Sequence, residues 1–219
     1  MNKPLRIKEA FYTLQGEGAR AGQASVFIRF SKCNLWNGKE SGRAAAICNF
    51  CDTDINGIDG ENGGEYTTTD LRNLAVKLWP DMKAGTPYIV FTGGEPALQL
   101  TEELVQSFQN AGFECAVESN GTLPLPVNLD WVCISPKGKS KVVINTCHEL
   151  KLVYPQADIQ PSDVEHIKAD HYFLSPMADY GIENKGIIIR ENMHSATQYC
   201  LNNPKWRISL QTHKLLGIA

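Results

Sequence analysis

Short apolar, β-branched runs alternate along the chain with stretches of helical period. Strands are predicted at Ser25–Phe30, Tyr88–Phe91, Glu114–Glu118, Trp131–Ile134, Glu149–Val153, Tyr172–Leu174 and Arg207–Leu210. In Asp70–Trp79 the residues Leu71, Leu74, Ala75 and Leu78 recur at i, i+3, i+4 and i+7, which gathers them on one helical face, with Thr69 or Asp70 as N-cap. Thr101 caps a second helix. Glu102 and Glu103 suit its positive N-terminus, Leu104, Val105 and Phe108 form its face, and Gly112 closes it. A third helix spans about Glu191–Leu201, with Met193, Ala196, Thr197 and Cys200 on one stripe and Pro204 beyond its end. Strands joined through capped helices predict an α/β fold with a mainly parallel sheet, open or rolled toward a barrel. No repeat or low-complexity linker interrupts it. The least regular stretch, Asn34–Tyr66, is rich in Gly, Asn, Asp and Glu and too long for a plain connection, so it is either functional or disordered.

Composition narrows the class. The 219 residues carry 21 Lys and Arg against 24 Asp and Glu, a net charge of −3, with 42% hydrophobic and 21% charged residues. At roughly 150 residues per domain this is one large or two small globular domains, which excludes a mainly disordered or coiled-coil chain. The near-neutral balance leaves no footprint for duplex nucleic acid or an anionic membrane. Apolar runs such as Tyr88–Phe91 and Ile187–Ile189 fall far short of the ~20 residues of a membrane span, and the start, MNKPLRIKEAF, lacks the apolar core of a signal peptide. A small-molecule substrate and a cytoplasmic location are expected. The seven cysteines, Cys33, Cys48, Cys51, Cys115, Cys133, Cys147 and Cys200, are an odd number in a chain without an export signal, which argues against a disulfide framework.

Cys48 and Cys51 form a CxxC, and Cys33 sits just past the end of the first predicted strand. Three thiolates are one short of a closed zinc site or an ordinary electron-transfer cluster, so a cluster on these three keeps one iron open for a ligand. Cys48 and Cys51 lie in a polar loop rather than an apolar run, unlike packing thiols. Cys115, Cys133 and Cys147 lie in or near strands and Cys200 on a helix face, where packing is expected. Polar residues recur at the ends of successive strands: Thr92-Gly93-Gly94-Glu95-Pro96, Glu118-Ser119-Asn120-Gly121-Thr122 and Ser135-Pro136-Lys137. In parallel α/β folds that edge binds ligands. Two glycines let backbone approach a ligand closely, and a carboxylate at a strand end can grip an ammonium group. Arg29 shares the parity of Ser31 and Cys33, opposite Ile28 and Phe30, and can fork onto a carboxylate.

Together these residues resemble a radical S-adenosylmethionine (SAM) enzyme. Leu14-Gln15-Gly16-Glu17-Gly18, Phe27-Ile28-Arg29-Phe30, Cys33-Asn34-Leu35, Thr92–Pro96, Ser135–Lys137 and Gln211-Thr212-His213-Lys214 more closely resemble the 7-carboxy-7-deazaguanine synthase family, in the family's order. The resemblance implies an incomplete TIM-type barrel, a single radical SAM domain over residues 1–219 with a cluster-loop insertion at 34–66. It implies that Cys33, Cys48 and Cys51 ligate a 4Fe-4S cluster whose open iron chelates SAM. The usual CxxxCxxC spacing is departed from, since Asn34–Ile47 separate the first two cysteines, as in one branch of this family. The implied reaction converts 6-carboxy-5,6,7,8-tetrahydropterin to 7-carboxy-7-deazaguanine with loss of ammonia, in queuosine-type biosynthesis.

By the same resemblance, Leu14, Gln15, Gly16, Arg29, Thr92 and the terminal carboxylate of Ala219 bind substrate. Gly94, Glu95, Ser135, Pro136, Lys137, Ser175, Pro176, Met177 and Ala178 bind SAM, although the family often has Gln where Ser175 stands. Thr53 places its hydroxyl on Mg²⁺, and Glu118 and His213 are candidate catalytic residues. A homodimer and a flavodoxin- or ferredoxin-type electron donor are implied as partners. Two rivals remain at this stage: another radical SAM activity such as a glycyl-radical activating enzyme, and a non-catalytic zinc or iron-sulfur binding module. The first is opposed by Gln15, Arg29 and the Gln-Thr-His-Lys segment. The second requires a fourth protein ligand and leaves the Gly-Gly-Glu edge without a purpose.

Overall fold

A computed structural model describes residues 3–179 and 189–218. Its nine strands are β1 (Leu5–Leu14), β2 (Ala24–Phe30), β3 (Gly64–Tyr66), β4 (Tyr88–Gly93), β5 (Glu114–Ser119), β6 (Trp131–Ile134), β7 (Thr146–Tyr154), β8 (Lys168–Pro176) and β9 (Trp206–Ile208). Four helices join them: α1 (Thr68–Leu78), α2 (Glu102–Gln109), α3 (Arg190–Asn202) and α4 (Thr212–Leu216). The strands form one sheet in the order β3-β1-β2-β4-β5-β6-β7-β8-β9. β1 runs antiparallel to both neighbours, and β2 and β4–β9 run parallel. The mainly parallel α/β expectation holds, and the sheet stays open rather than closing into a barrel.

All seven predicted strands are present. The prediction lacked β1 and β3. β1 escapes a period-2 reading because its register shifts between Ile7 and Glu9, and the buried Lys8 stands at that irregularity. β3 is only three residues long and gains its hydrogen bonds from β1. The N-cap of α1 is Thr67, whose hydroxyl accepts from Asp70 N, and not Thr69 or Asp70, which lie inside the helix. Thr101 caps α2 as expected, accepting from Leu104 N. On α3 only Ala196 of the predicted stripe is buried, and Thr197 is exposed with its hydroxyl turned back to Met193 O.

Alternation along the parallel strands gives the sheet two different faces. Val26, Ile28, Phe30, Ile89, Phe91, Cys115 and Val117 pack against Leu71 and Ala75 of α1 and Leu104, Val105 and Phe108 of α2. Ile134, Leu150, Leu152 and Leu174 pack toward Ala196 of α3 and Trp206. At about 25 cal/mol per Å² of apolar surface, these helix-covered clusters are the main stabilising contribution. The other face carries Phe27, Tyr88, Val90, Ala116 and Trp131 low on the strands and polar residues toward their C-terminal ends. No helix of the described residues is long and apolar enough to cross a membrane.

Candidate active site

A cavity of about 670 Å³ opens at the C-terminal ends of the parallel strands, on the face away from α1 and α2. Cys33, Cys48 and Cys51 all line it. Cys33 follows β2 through Lys32, which takes the left-handed φ of 76° and turns the chain off the strand. Its sulfur accepts from Leu35 N at 3.4 Å, while burial pushes the thiol up. The Cys48 thiol donates to Cys51, which lowers Cys51 to about 6 and raises Cys48. The separating segment is ordered as a 3-10 turn, Glu40–Ala45. From it Arg43 donates to Asn49 O (2.9 Å) and Cys51 O (3.0 Å) and stacks over Trp36. Lys8 ties down the far side of the loop, with its ammonium 2.7 Å from both Asp54 and Asp59. Asn34–Tyr66 is therefore structured around the thiols.

Beside Cys33, the turn after β4 lies against the end of β2. A Cβ on Gly94 would sit 2.0 Å from Lys32 O and 2.9 Å from Cys33 N, so only glycine fits. Gly94 N donates to Phe30 O and Glu95 N to Lys32 O. Gly94 lines the cavity, and Glu95 does not. Its carboxylate is fully buried and accepts from Ala97 N, Ser119 Oγ and Asn120 N at 2.8–3.0 Å. These three bonds join the β4 and β5 ends and occupy three of the roughly four acceptor positions of the carboxylate. Asn120 then reaches Asn34 Oδ1, coupling the β5 turn to the loop after Cys33.

The inner face of the sheet forms a charged floor. Arg29 pairs in register with Glu9 on β1 and Thr92 on β4, and its Nε donates to Glu9 Oε1 at 2.7 Å. Gln15 Nε2 donates to Glu118 Oε1 at 3.0 Å. The other Glu118 oxygen lies 3.0 Å from Lys151 Nζ, which also stands 2.7 Å from Glu17 Oε2. Burial alone would raise the Glu17 carboxyl, yet Lys151 and Gln211 hold it down to about 2. For Lys151, burial disfavours the ammonium and the Glu118 and Glu17 carboxylates outweigh it, raising the group.

Ser135, Lys137, Ser175, Pro176, Met177 and Ala178 line the opposite wall, whereas Pro136 does not face the cavity and instead gives its carbonyl to Gln156. Lys137 Nζ donates to Ser135 O at 2.9 Å. Leu14, Gln15, Gly16, Thr53 and Thr92 also line the space, with Thr53 Oγ1 3.5 Å from Asp52 Oδ1. α4 closes one side: Thr212 N and Oγ1 both donate to Gly16 O, and His213 lies so near Gly16 that a Cβ there would meet its Nδ1 at 2.0 Å. Burial lowers His213. Lys214 bridges to Asp52 at 2.8 Å. Ala219 lies outside the described residues.

Sequence reasoning missed Lys8, Glu9 and Lys151 and gave Glu17, Asp52 and Lys214 no role. The one local signal for Lys151 was a charge inside the apolar run Leu150–Val153. All seven cysteines are free. Cys115, Cys133 and Cys147 are buried and Cys200 half-buried, in keeping with packing positions.

Three thiols share one cavity, and an iron-sulfur cluster is held by such thiolates, so the residues present fit that group. An open, mainly parallel sheet with three thiols at its C-terminal edge and a charged inner floor fits an α/β enzyme of the radical SAM class.

No protein-family model matches the chain. It is 51% identical over 213 residues to the 7-carboxy-7-deazaguanine synthase of Bordetella pertussis and 48% identical over 213 residues to that of Bradyrhizobium diazoefficiens, each covering 97% of this chain and 98% of the relative. The fold matches the crystal structure of QueE from Escherichia coli at a TM-score of 0.68 and 22% identity, covering 94% of this chain and 93% of that one. The chain belongs to the 7-carboxy-7-deazaguanine synthase family.

Proposed function

We propose that the chain converts 6-carboxy-5,6,7,8-tetrahydropterin to 7-carboxy-7-deazaguanine with loss of ammonia, as a radical SAM lyase of queuosine biosynthesis. The observation that carries this reading is the gathering of Cys33, Cys48 and Cys51 with Gln15, Arg29, Glu118 and His213 around one cavity, in a chain 51% identical to a named synthase. Cys33, Cys48 and Cys51 hold the 4Fe-4S cluster. Gly94, Ser135, Lys137 and Ser175–Ala178 form the SAM wall, and Thr53 contributes a hydroxyl to Mg²⁺, a hard cation that keeps most of its ligands as water and substrate. When bound, cluster and SAM together supply one-electron cleavage and the hydrogen-abstracting carbon radical.

The chain's own residues position and exclude. Arg29, fixed by Glu9, presents its remaining guanidinium donors to a substrate carboxylate. Leu14, Gln15 and Gly16 offer backbone and amide groups to the flat ring edge, and Thr92 offers its hydroxyl. Glu118 and His213 stand where protons must be held during ring contraction and release of ammonia. α4 and the Lys214–Asp52 pair limit water entry from one side. Glu95 supports the SAM wall from behind, through the β4–β5 turns. We further assign the chain as one domain, a homodimer and a cytoplasmic protein served by a flavodoxin- or ferredoxin-type donor, all by family likeness.

Anaerobic reconstitution followed by SAM, reductant, Mg²⁺ and C6-deuterated substrate tests the reading. Deuterium is expected in 5′-deoxyadenosine, together with a deazaguanine product. Absence of a cluster spectrum refutes the radical SAM assignment. SAM cleavage without deuterium transfer refutes the substrate.

A further inference from the structure

Lys151 sits in the middle of β7, with Leu150 and Leu152 packed in the core on the opposite face and its own side chain turned to the cavity floor, 5% exposed. A lone ammonium so placed is costly to bury. Here it is shared between two carboxylates from different elements, Glu17 in the turn after β1 at 2.7 Å and Glu118 on β5 at 3.0 Å. Glu118 gives its other oxygen to Gln15, so both of its oxygens are engaged and its plane is fixed. Glu17 is likewise held at both oxygens, by Lys151 and Gln211.

The remaining groups around Lys151 do not replace it. Glu149, two residues earlier on β7, accepts from Ala19 N at 2.9 Å and from the Cys133 thiol of β6 at 3.5 Å, and burial pushes both Glu149 and Cys133 up. His213 of α4 acts on Glu17 and Glu118, but burial lowers it. Lys151 is thus the cation that both floor carboxylates contact. Without it the two floor carboxylates lose the cation they share, and the pair binds protons more readily.

We propose that Lys151 is a positioning residue for the reaction, whose ammonium, with Gln15, fixes the Glu118 carboxylate in place and orients it toward the substrate. The proposal rests on the function proposed above. It assigns Lys151 no contact with the reacting atoms; the ammonium acts through Glu118.

The test compares the reconstituted full chain with Lys151→Met and Lys151→Arg. Product formation, deuterium transfer to 5′-deoxyadenosine, iron content and substrate affinity are followed between pH 5.5 and 9. For Lys151→Met, iron content and uncoupled SAM cleavage are expected to match the parent. Its kcat/KM for substrate near neutral pH should fall by about 100-fold, with the acid limb of the profile moved up by ~1–3 pH units. Lys151→Arg keeps the charge and should keep the acid limb in place even where the rate falls. A Lys151→Met profile with the parent's acid limb overturns the proposal. So does a Lys151→Arg limb displaced despite the retained charge, which decides the matter even if the methionine variant does not fold. Failure of the parent to transfer deuterium refutes the proposed function itself, whereas a competent parent matched by Lys151→Met refutes the positioning role alone.

Discussion

Replacing Gly94 by alanine adds one methyl group at the tightest backbone approach in the site. The new Cβ lies 2.0 Å from Lys32 O, 2.4 Å from Lys32 C and 2.9 Å from Cys33 N. All three neighbours are backbone, so no rotamer change relieves them. Ordinary carbon–oxygen contact needs more than 3 Å, and the β2 end or the β4 turn must therefore yield by roughly 1 Å. Two backbone bonds resist the shift, Gly94 N to Phe30 O at 3.1 Å and Glu95 N to Lys32 O at 2.9 Å. Overpacking of this kind costs about 2–3 kcal/mol, which for a chain of this size lowers the Tm by about 4–12 °C. The displaced residue is Cys33, so iron binding falls with stability. Iron per chain after anaerobic reconstitution, cluster absorbance and a thermal melt of the apoprotein check this. A Gly94→Ala protein with parental iron content and a Tm unchanged within 1 °C, roughly the precision of a melt, refutes the steric reasoning.

Thr101→Ala removes the cap on Leu104 N and is expected to cost about 1 kcal/mol, or about 2–4 °C in Tm, with product formation by the reconstituted protein unchanged. Glu17→Gln tests the acid side. The native Glu17 carboxyl is depressed from 4.5 to about 2, so its stabilisation is fully present above pH 4.5 and is lost as pH falls toward 2. Urea unfolding over that window should show a shallower pH dependence for the variant, and an identical slope counts against the Lys151 ion pair. Lys8→Met removes the cation shared by Asp54 and Asp59; because both aspartates are largely exposed, the loss is local to the loop and global stability changes little. It should appear as faster proteolysis within 48–59 under native conditions.

Residue types carried much of this structure and spatial partners the rest. Ile89-Val90-Phe91 reads as a strand because both faces of a parallel sheet are covered and the run is apolar throughout. β1 carries Arg6, Lys8 and Glu9 in its first half and is broken by a register shift, so its membership of the sheet emerges only from pairing with β2 and β3. α4, with Thr212–Leu216 and no buried residue, has no stripe to detect. The cysteine ligand candidates were legible because sulfur chemistry is local to residue type and spacing. Lys151 was not, since its partners lie at 17 and 118, and no local window sees them. The partners of Glu95 were equally out of view: its position in the Gly-Gly-Glu turn is local, but its bonds to Ser119 and Asn120 come from the next strand end.

The clasp between Thr212 and Gly16 joins segments 196 positions apart. A ribosome-bound chain can pair β1 with β2 early and extend the sheet strand by strand, yet the Gly16 side of the cavity stays bare until α4 has emerged. The Gly16 wall of the cavity is therefore the work of α4, the last helix of the described residues, and no earlier segment substitutes for its two bonds to Gly16 O.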